Sequence, residues 1–294
     1  MIPYIRVVFL IRIKLKREGG NCMPELARIQ TAKKTKNRYH LFVKEGEGET
    51  YACSISEDVL VKEGLQKGQQ LSGDDLERLK ETDALDKAFQ KALNYLSYRM
   101  RSEKEIRDYL KQEEVPPEEI DDMISRLEEL DFLHDARFAE AFVRTKRDQS
   151  KKGPMVIRQE LFQKGISDAV TAQALEQYSE EQQIDDAIKL VEKKQHSYKK
   201  ESTRQREQKL MQFLMQRGYS SAVASTAVKE ADLEESQAME EEALDKWAEK
   251  AWRKYEKDDP WKRRQKVKQA LYRRGFSGDP VEAWMNEKEM EEEG

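Results

Sequence analysis

The side chains in this sequence best placed to act together are its cations. Seven bases and no acid fall in the thirteen residues Lys262–Arg274, among them Lys262, Arg263, Arg264, Arg273 and Arg274. Between Lys189 and Arg217 nine bases outnumber three acids, with Lys199, Lys200, Arg204 and Arg206 at the centre of the run. Between Arg137 and Gly165 eight bases (Arg137, Arg144, Lys146, Arg147, Lys151, Lys152, Arg158 and Lys164) face three acids. Clustered cations attract phosphate and displace the counterions condensed on a nucleic acid. They suit an acidic groove on a protein equally well. Taken alone, one such run is ordinarily a solvated helix face. Three runs at equivalent places in successive units would align into a stripe. None of Arg144, Lys146, Arg147, Lys151 and Lys152 belongs to an apolar stripe, so all five are expected to be dispensable for folding. Upstream, Glu113–Asp131 holds nine acids and one base, so the net charge of −4 hides strong segregation.

Constellations for catalysis or metal binding were not found. His40, His134 and His196 are scattered, with no H-E-x-x-H and no Cys–His spacing suited to zinc. "GEGE" lacks the third glycine of a dinucleotide loop and the Gly-Lys-Ser/Thr of a phosphate loop. "SYKK" at 197–200 matches S-x-x-K without its S-D-N and K-T-G partners. No catalytic residue, metal ligand or cofactor is assigned, and a binding protein is expected in place of an enzyme. Cys22 and Cys53 are too few for a disulfide framework, which makes a reducing cytosol the default.

The elements that must position these cations repeat. "LFQKGIS" begins at Leu161, "LMQRGYS" at Leu214 and "LYRRGFS" at Leu271. Gly165, Gly218 and Gly275 suit the left-handed residue just past a helix end, where a Cβ would clash. Their followers Ile166, Tyr219 and Phe276 can then fold back on the leucines. Ser167, Ser220 and Ser277 are placed to cap the next helix. The leucines lie 53 and 57 residues apart, a spacing that suits a three-helix unit. A fainter copy starts at Leu110, where Val115 stands in for the Gly-apolar corner and Pro117 opens the next helix.

Charged residues make up 38% of the chain, against about 25% in an ordinary globular protein. The low apolar fraction points to several small cores. The expected fold is mainly α: an elongated array of tandem three-helix repeats, three clear and a fourth plausible, after a small N-terminal β-hairpin or sheet. "ELARIQT", "RYHLFVK" and "TYACSI" have the alternation of short strands. Residues 23–83 are assigned to this β-segment with short helices, one of them starting at Ser72. Repeats follow at 84–131, 132–179, 180–233 and 234–294. Ser102 and Glu105 have capping-box spacing. Helical stripes include Phe89, Leu93, Leu96 and Met100 in the first repeat. In the last they include Leu244, Trp247, Ala251 and Tyr255, which leaves Trp252 and Trp261 outside the expected core. The apolar run at 1–22 is broken by Arg6 and Arg12 and is too short to span a membrane. Codons for Arg17–Gly20 can spell a purine-rich ribosome-binding site, so 1–22 is expected to be an upstream extension, with Met23 the start; an extra β-strand with alternating Ile5, Val7, Phe9 and Ile11 is the alternative.

"ALNYLSYRMRSEKEIRDYL" (92–110) and "LDFLHDARFAEAFVRTKRDQSKKGPMVIRQELFQKGI" (130–166) resemble the first and second repeats of the RecX family. His134 departs from the acidic residue usual before Asp135, a change at a helix start. The resemblance implies tandem three-helix repeats that bind the RecA recombinase filament on single-stranded DNA and modulate it, most simply by inhibition. It also implies a cytoplasmic monomer acting in recombination and repair. A helical protein that binds nucleic acid without RecA is the alternative.

Overall fold

The computed structural model describes residues 23–294, apart from Lys34, Asp232, 234–236, Ser277 and Gly294. The expected extension at 1–22 and the capping role of Ser277 lie outside the described residues. Two compact units divide the chain: residues up to Arg99 with Tyr109–Met123, and Met100–Asp108 with residues from Ile124 onward.

In the first unit, β1 (Glu25–Thr31), β2 (Arg38–Glu45) and β3 (Gly48–Ser56) form an antiparallel sheet in sequence order. Strand alternation buries Leu26, Leu41, Cys53 and Ile55 on one face. They pack in one cluster with Val59 of α1 (Glu57–Lys62) and Leu79 of α2 (Gly73–Ser97). Asp83 of α2 is buried and accepts from Arg38 at 2.8 Å, Lys87 at 2.7 Å and the Ser56 backbone N–H at 2.9 Å. That network fixes α2 to the sheet.

The expected boundary at 83/84 falls inside α2. Ser72 and Asp75 form a capping box that starts the helix, and no Gly or Pro interrupts residues 74–97. The short helix expected at Ser72 and the first helix of the first repeat are therefore continuous. Since α2 ends at Ser97, Met100 is off its stripe and exposed.

The helices come in threes. First α3 (Glu103–Gln112) and α4 (Pro117–Glu129) follow α2. Next come α5 (Asp135–Ser150), α6 (Pro154–Gln163) and α7 (Asp168–Leu175). Then follow α8 (Glu180–Gln195), α9 (Thr203–Gln216) and α10 (Ser221–Glu230). Last are α11 (Gln237–Lys254), α12 (Pro260–Arg273) and α13 (Asp279–Glu293). The chain is mainly helical, with tandem three-helix repeats after a three-stranded sheet.

The second and third repeats share one apolar core, from Phe138 through Leu161 and Leu210 to Ala231, in place of separate small ones. A closed polar ring sits within it. Tyr178 donates to Asp186 at 3.2 Å, and its hydroxyl oxygen lies 3.2 Å from that of Tyr219. Lys151 reaches Asp186 at 2.5 Å, and the Tyr219 hydroxyl donates back to the Lys151 carbonyl at 3.1 Å. Burial pushes the Tyr219 hydroxyl up to about 12 and the Tyr178 hydroxyl higher still, so both remain donors. The fourth repeat has its own core, and Trp252 belongs to it, buried beside Leu244, Val267 and Met285. That corrects its expected freedom; Trp261 is exposed.

Candidate functional site

Each heptad makes one contact within its repeat and a second between repeats. Within the repeat, Leu161, Leu214 and Leu271 are fully buried and accept the backbone N–H of Ile166, Tyr219 and Phe276 at 3.1, 3.2 and 3.2 Å. Gly165, Gly218 and Gly275 take φ of 82°, 94° and 87° and donate to Phe162, Met215 and Tyr272 at 2.9 Å. Both bonds together define a Schellman cap. In the first repeat Glu114, at φ 60°, takes the glycine's place. Val115 donates to Leu110 at 3.1 Å, so it is the apolar follower and does not replace the whole corner. Ser167 and Ser220 cap α7 and α10.

The second contact explains why glycine recurs. A Cβ on Gly218 would lie 2.5 Å from the backbone N of Val156, one on Gly165 2.7 Å from Lys104 Cβ, and one on Gly275 2.8 Å from Ser202 Oγ. Lys104, Val156 and Ser202 stand at the starts of α3, α6 and α9. The C-terminal corner of each second helix therefore sits on the start of the preceding repeat's second helix. Gly153 and Met155 N–H donate to the carbonyls of Arg217 and Gly218 at 2.8 and 3.0 Å. Ser202 Oγ donates to the Arg274 carbonyl, and Lys104 Nζ to that of Gln163 at 2.9 Å. Carbonyls left over at one helix end thus meet donors at the start of another, backbone N–H groups at α6 and side chains at α3 and α9.

The first backbone donor of each receiving helix is handled separately. Glu103 N–H is accepted by Asp135 of the next repeat, and Thr203 N–H by Glu240, each at 2.8 Å. Pro154, at the start of α6, has no N–H to satisfy. Burial raises the Asp135 carboxyl above its ordinary value, against the Glu103 hydrogen bond. His134 precedes α5 without capping it and lies 2.5 Å from Asp131.

Many of the sixteen sequence-predicted cations are held in contacts within or between repeats. Lys146 and Lys152 both pair with Glu160, and burial of that carboxyl is outweighed by the two ammoniums, which hold it below its ordinary value. Lys151 closes the tyrosine ring, and Arg147 binds Asp148 at 2.7 Å and the Gln177 carbonyl at 3.2 Å. Of the group Arg144–Lys152, expected to be dispensable for folding, only Arg144 is exposed, and the other four are drawn into contacts of the fold. Lys164 pairs with Glu105 at 2.9 Å, and Arg206 is buried. Arg263 pairs with Glu292 and stacks on Trp252, while Arg264 pairs with Glu282 and Glu289. Arg274 lies flat on Trp247, 3.2 Å from the ring centroid. Arg144, Arg158, Lys199, Lys200, Arg204, Lys262 and Arg273 remain exposed.

Sequence reasoning missed Lys250 and Lys254 of α11, which line a cleft with Trp247, Tyr255, Arg273 and Arg274. Their i, i+4 spacing beside two aromatics was the available signal. It was hidden because Glu249 and Glu256 balance a charge count along the chain. Among the described residues, no cluster of His, Cys, Asp and Glu could hold a metal. No described helix is long and apolar enough to cross a membrane.

Comparison with known proteins matches this architecture repeat by repeat. The first three-helix domain of RecX matches residues 88–127 and the second matches 135–175. The third matches twice, at 180–228 and 239–285, so the last two repeats are of one type. The chain is 37% identical over 266 residues to the regulatory protein RecX of Bacillus cytotoxicus, covering 90% of this chain and 98% of that one. It is 40% identical over 272 residues to that of Oceanobacillus iheyensis, covering 92% and 100%. A crystal structure of regulatory protein RecX superposes with a TM-score of 0.64 at 34% identity, covering 71% of this chain and all of that one. RecX from Lactobacillus salivarius superposes at 0.50 with 36% identity, covering 51% and 98%. With its repeats, its corners and its full-length relatives in agreement, the chain belongs to the RecX family of regulatory proteins.

Proposed function

We propose that this protein binds the RecA filament on single-stranded DNA and inhibits it. The observation that carries the reading is the repeated joint between second helices. Because every joint uses the same corner, it presents the residue after each heptad leucine in equivalent surroundings. Those residues are Phe162, Met215 and Tyr272, and they are 70%, 50% and 40% exposed. Apolar side chains that recur on one position of successive repeats suit a partner that itself repeats. Exposed Arg158, Arg204 and Arg273 lie on the same second helices and suit the acidic and phosphate groups of such a partner. Tandem units also raise local concentration once the first has docked, so weak individual contacts suffice. The proposed setting is the cytoplasm, as a monomer, with no chemistry of its own.

Binding to naked single-stranded DNA and to RecA-coated DNA, each measured across a salt series, tests this. Tighter binding to the coated strand, with a shallower salt dependence, supports the reading. Equal affinity and equal slope would favour a DNA-binding protein that acts without RecA.

A further inference from the structure

The fourth repeat carries a cleft of about 450 Å³ whose lining pairs cations with aromatic rings. Trp247, Lys250, Lys254 and Tyr255 come from α11, and Arg273 and Arg274 from the end of α12. No described lining residue is acidic. Among the described residues Lys250, Lys254 and Arg273 make no ion pair, although neighbouring cations are well supplied: Lys266 has Asp258, and Arg253 and Lys288 share Glu249. Arg274 has a carboxylate near it, Glu201 at 3.9 Å, and its main contact is the face of Trp247. Lys250 and Lys254 lie 5.0 and 5.2 Å from the centroids of Trp247 and Tyr255.

Four like charges around one opening repel each other, and that repulsion is relieved by an anion placed among them. A stacked guanidinium keeps its N–H donors in its own plane, where they can meet phosphate. The rings narrow the choice of anion. An acidic peptide would satisfy the cations and leave the ring of Tyr255 unused. A nucleotide brings a phosphate for the cations and a base for the rings, the combination that single-strand-binding grooves exploit. The volume lies in the range of about 300–1,000 Å³ usual for small-ligand sites.

We propose that this cleft binds a nucleotide unit, with its phosphates on Lys250, Lys254 and Arg273 and its base against Tyr255, beside the guanidinium that Trp247 holds in place. The source of that unit, a strand or a free nucleotide, is for the experiment to decide. The choice of a strand rests on the reading that the partner carries single-stranded DNA.

The test uses the full chain without RecA. Binding of a fluorescent twelve-residue thymidine oligonucleotide is compared with that of an abasic oligonucleotide of equal charge, and with an oligoglutamate of equal length. The thymidine strand should bind roughly tenfold tighter than the abasic one. The variant K250Q/K254Q/R273Q should bind it more weakly and lower the salt slope by up to about 2, from about 0.7 per phosphate contact. Tyr255→Leu should remove the preference for bases and leave the slope unchanged, with melting curves confirming the fold of both variants. Displacement of the strand by ATP at equal phosphate concentration would identify a free nucleotide as the source, and failure to displace it a strand. Equal binding of the thymidine and abasic strands would overturn the proposal. So would equal binding of oligoglutamate, or a folded triple variant that binds as the parent does. The two readings fail separately. A chain that inhibits RecA while its triple variant keeps full oligonucleotide affinity loses the cleft alone. A chain that binds through the cleft and leaves RecA untouched loses the filament alone.

Discussion

Replacing Gly218 with Ala separates the two reasons for its glycine. The residue sits at φ 94°, so any L side chain there is strained, at about 1–3 kcal/mol. Its new Cβ would also lie 2.5 Å from the Val156 backbone N and 2.8 Å from Val156 Cγ2. A backbone atom cannot rotate away, so the α6–α9 joint must open. Opening it weakens the bonds from Gly153 to the Arg217 carbonyl and from Met155 to the Gly218 carbonyl, now 2.8 and 3.0 Å. At about 1 kcal/mol net for each bond, the whole loss is roughly 3–5 kcal/mol. Gly278 is the control within the same unit. It has φ 78°, and its nearest neighbour to a new Cβ is Pro280 Cδ at 4.0 Å. Gly278→Ala should therefore cost the strain alone. The measurement is urea unfolding of both variants followed by circular dichroism. Gly218→Ala should lose about 2 kcal/mol more than Gly278→Ala, a gap of roughly 4–8 °C in thermal midpoint. Equal losses would refute the close-approach argument and leave only the cap.

Lys151→Gln should cost about 1–3 kcal/mol, because it strands the largely buried Asp186 carboxylate; Arg144→Gln, on the exposed side of α5, should stay within about 0.5 kcal/mol. Thermal melts that rank these two the other way would remove the structural role of Lys151. Acid should destabilise the fold through Asp83 and Glu160. Burial works against both charges, yet Arg38 with Lys87, and Lys152 with Lys146, hold the two carboxyls below their ordinary values. The unfolded chain therefore takes up these protons first, so stability is complete above the ordinary carboxylate value and drains as pH falls through the folded values. The melting midpoint should be level down to about pH 5 and fall below it. A midpoint that rises on acidification contradicts this. Tyr219→Phe removes the donor to the Lys151 carbonyl and should cost about 1–2 kcal/mol in the same melts; an unchanged midpoint would mean the tyrosine ring contributes nothing.

Local chemistry was legible along the chain. A leucine, a glycine four residues on and an apolar follower specify a Schellman cap from sequence spacing alone, and Gly165, Gly218 and Gly275 form it. The continuity of α2 was also readable, since no Gly or Pro interrupts residues 74–97. What spacing cannot supply is the identity of a distant neighbour. Lys151 and Arg144 look alike in sequence, and only the approach of Asp186, 35 residues away, makes one structural. The same holds for the close packing of Gly218 on Val156, which a cap argument does not require. Trp252 escaped the core reading because it adjoins Ala251, which is also buried, and one periodic stripe did not include both. The cleft cations were lost to averaging. Charge summed along α11 counts Glu249 with Lys250, whereas in three dimensions Glu249 turns to Arg253 and Lys288.

The filament reading is tested most directly by titrating the protein into RecA hydrolysing ATP on single-stranded DNA, beside the variant F162S/M215S/Y272S. Those three side chains are exposed, so the variant should melt as the parent does. The account predicts that the parent suppresses hydrolysis and that the variant requires several-fold more protein for the same effect. Hydrolysis that continues unchanged at saturating parent protein would contradict it.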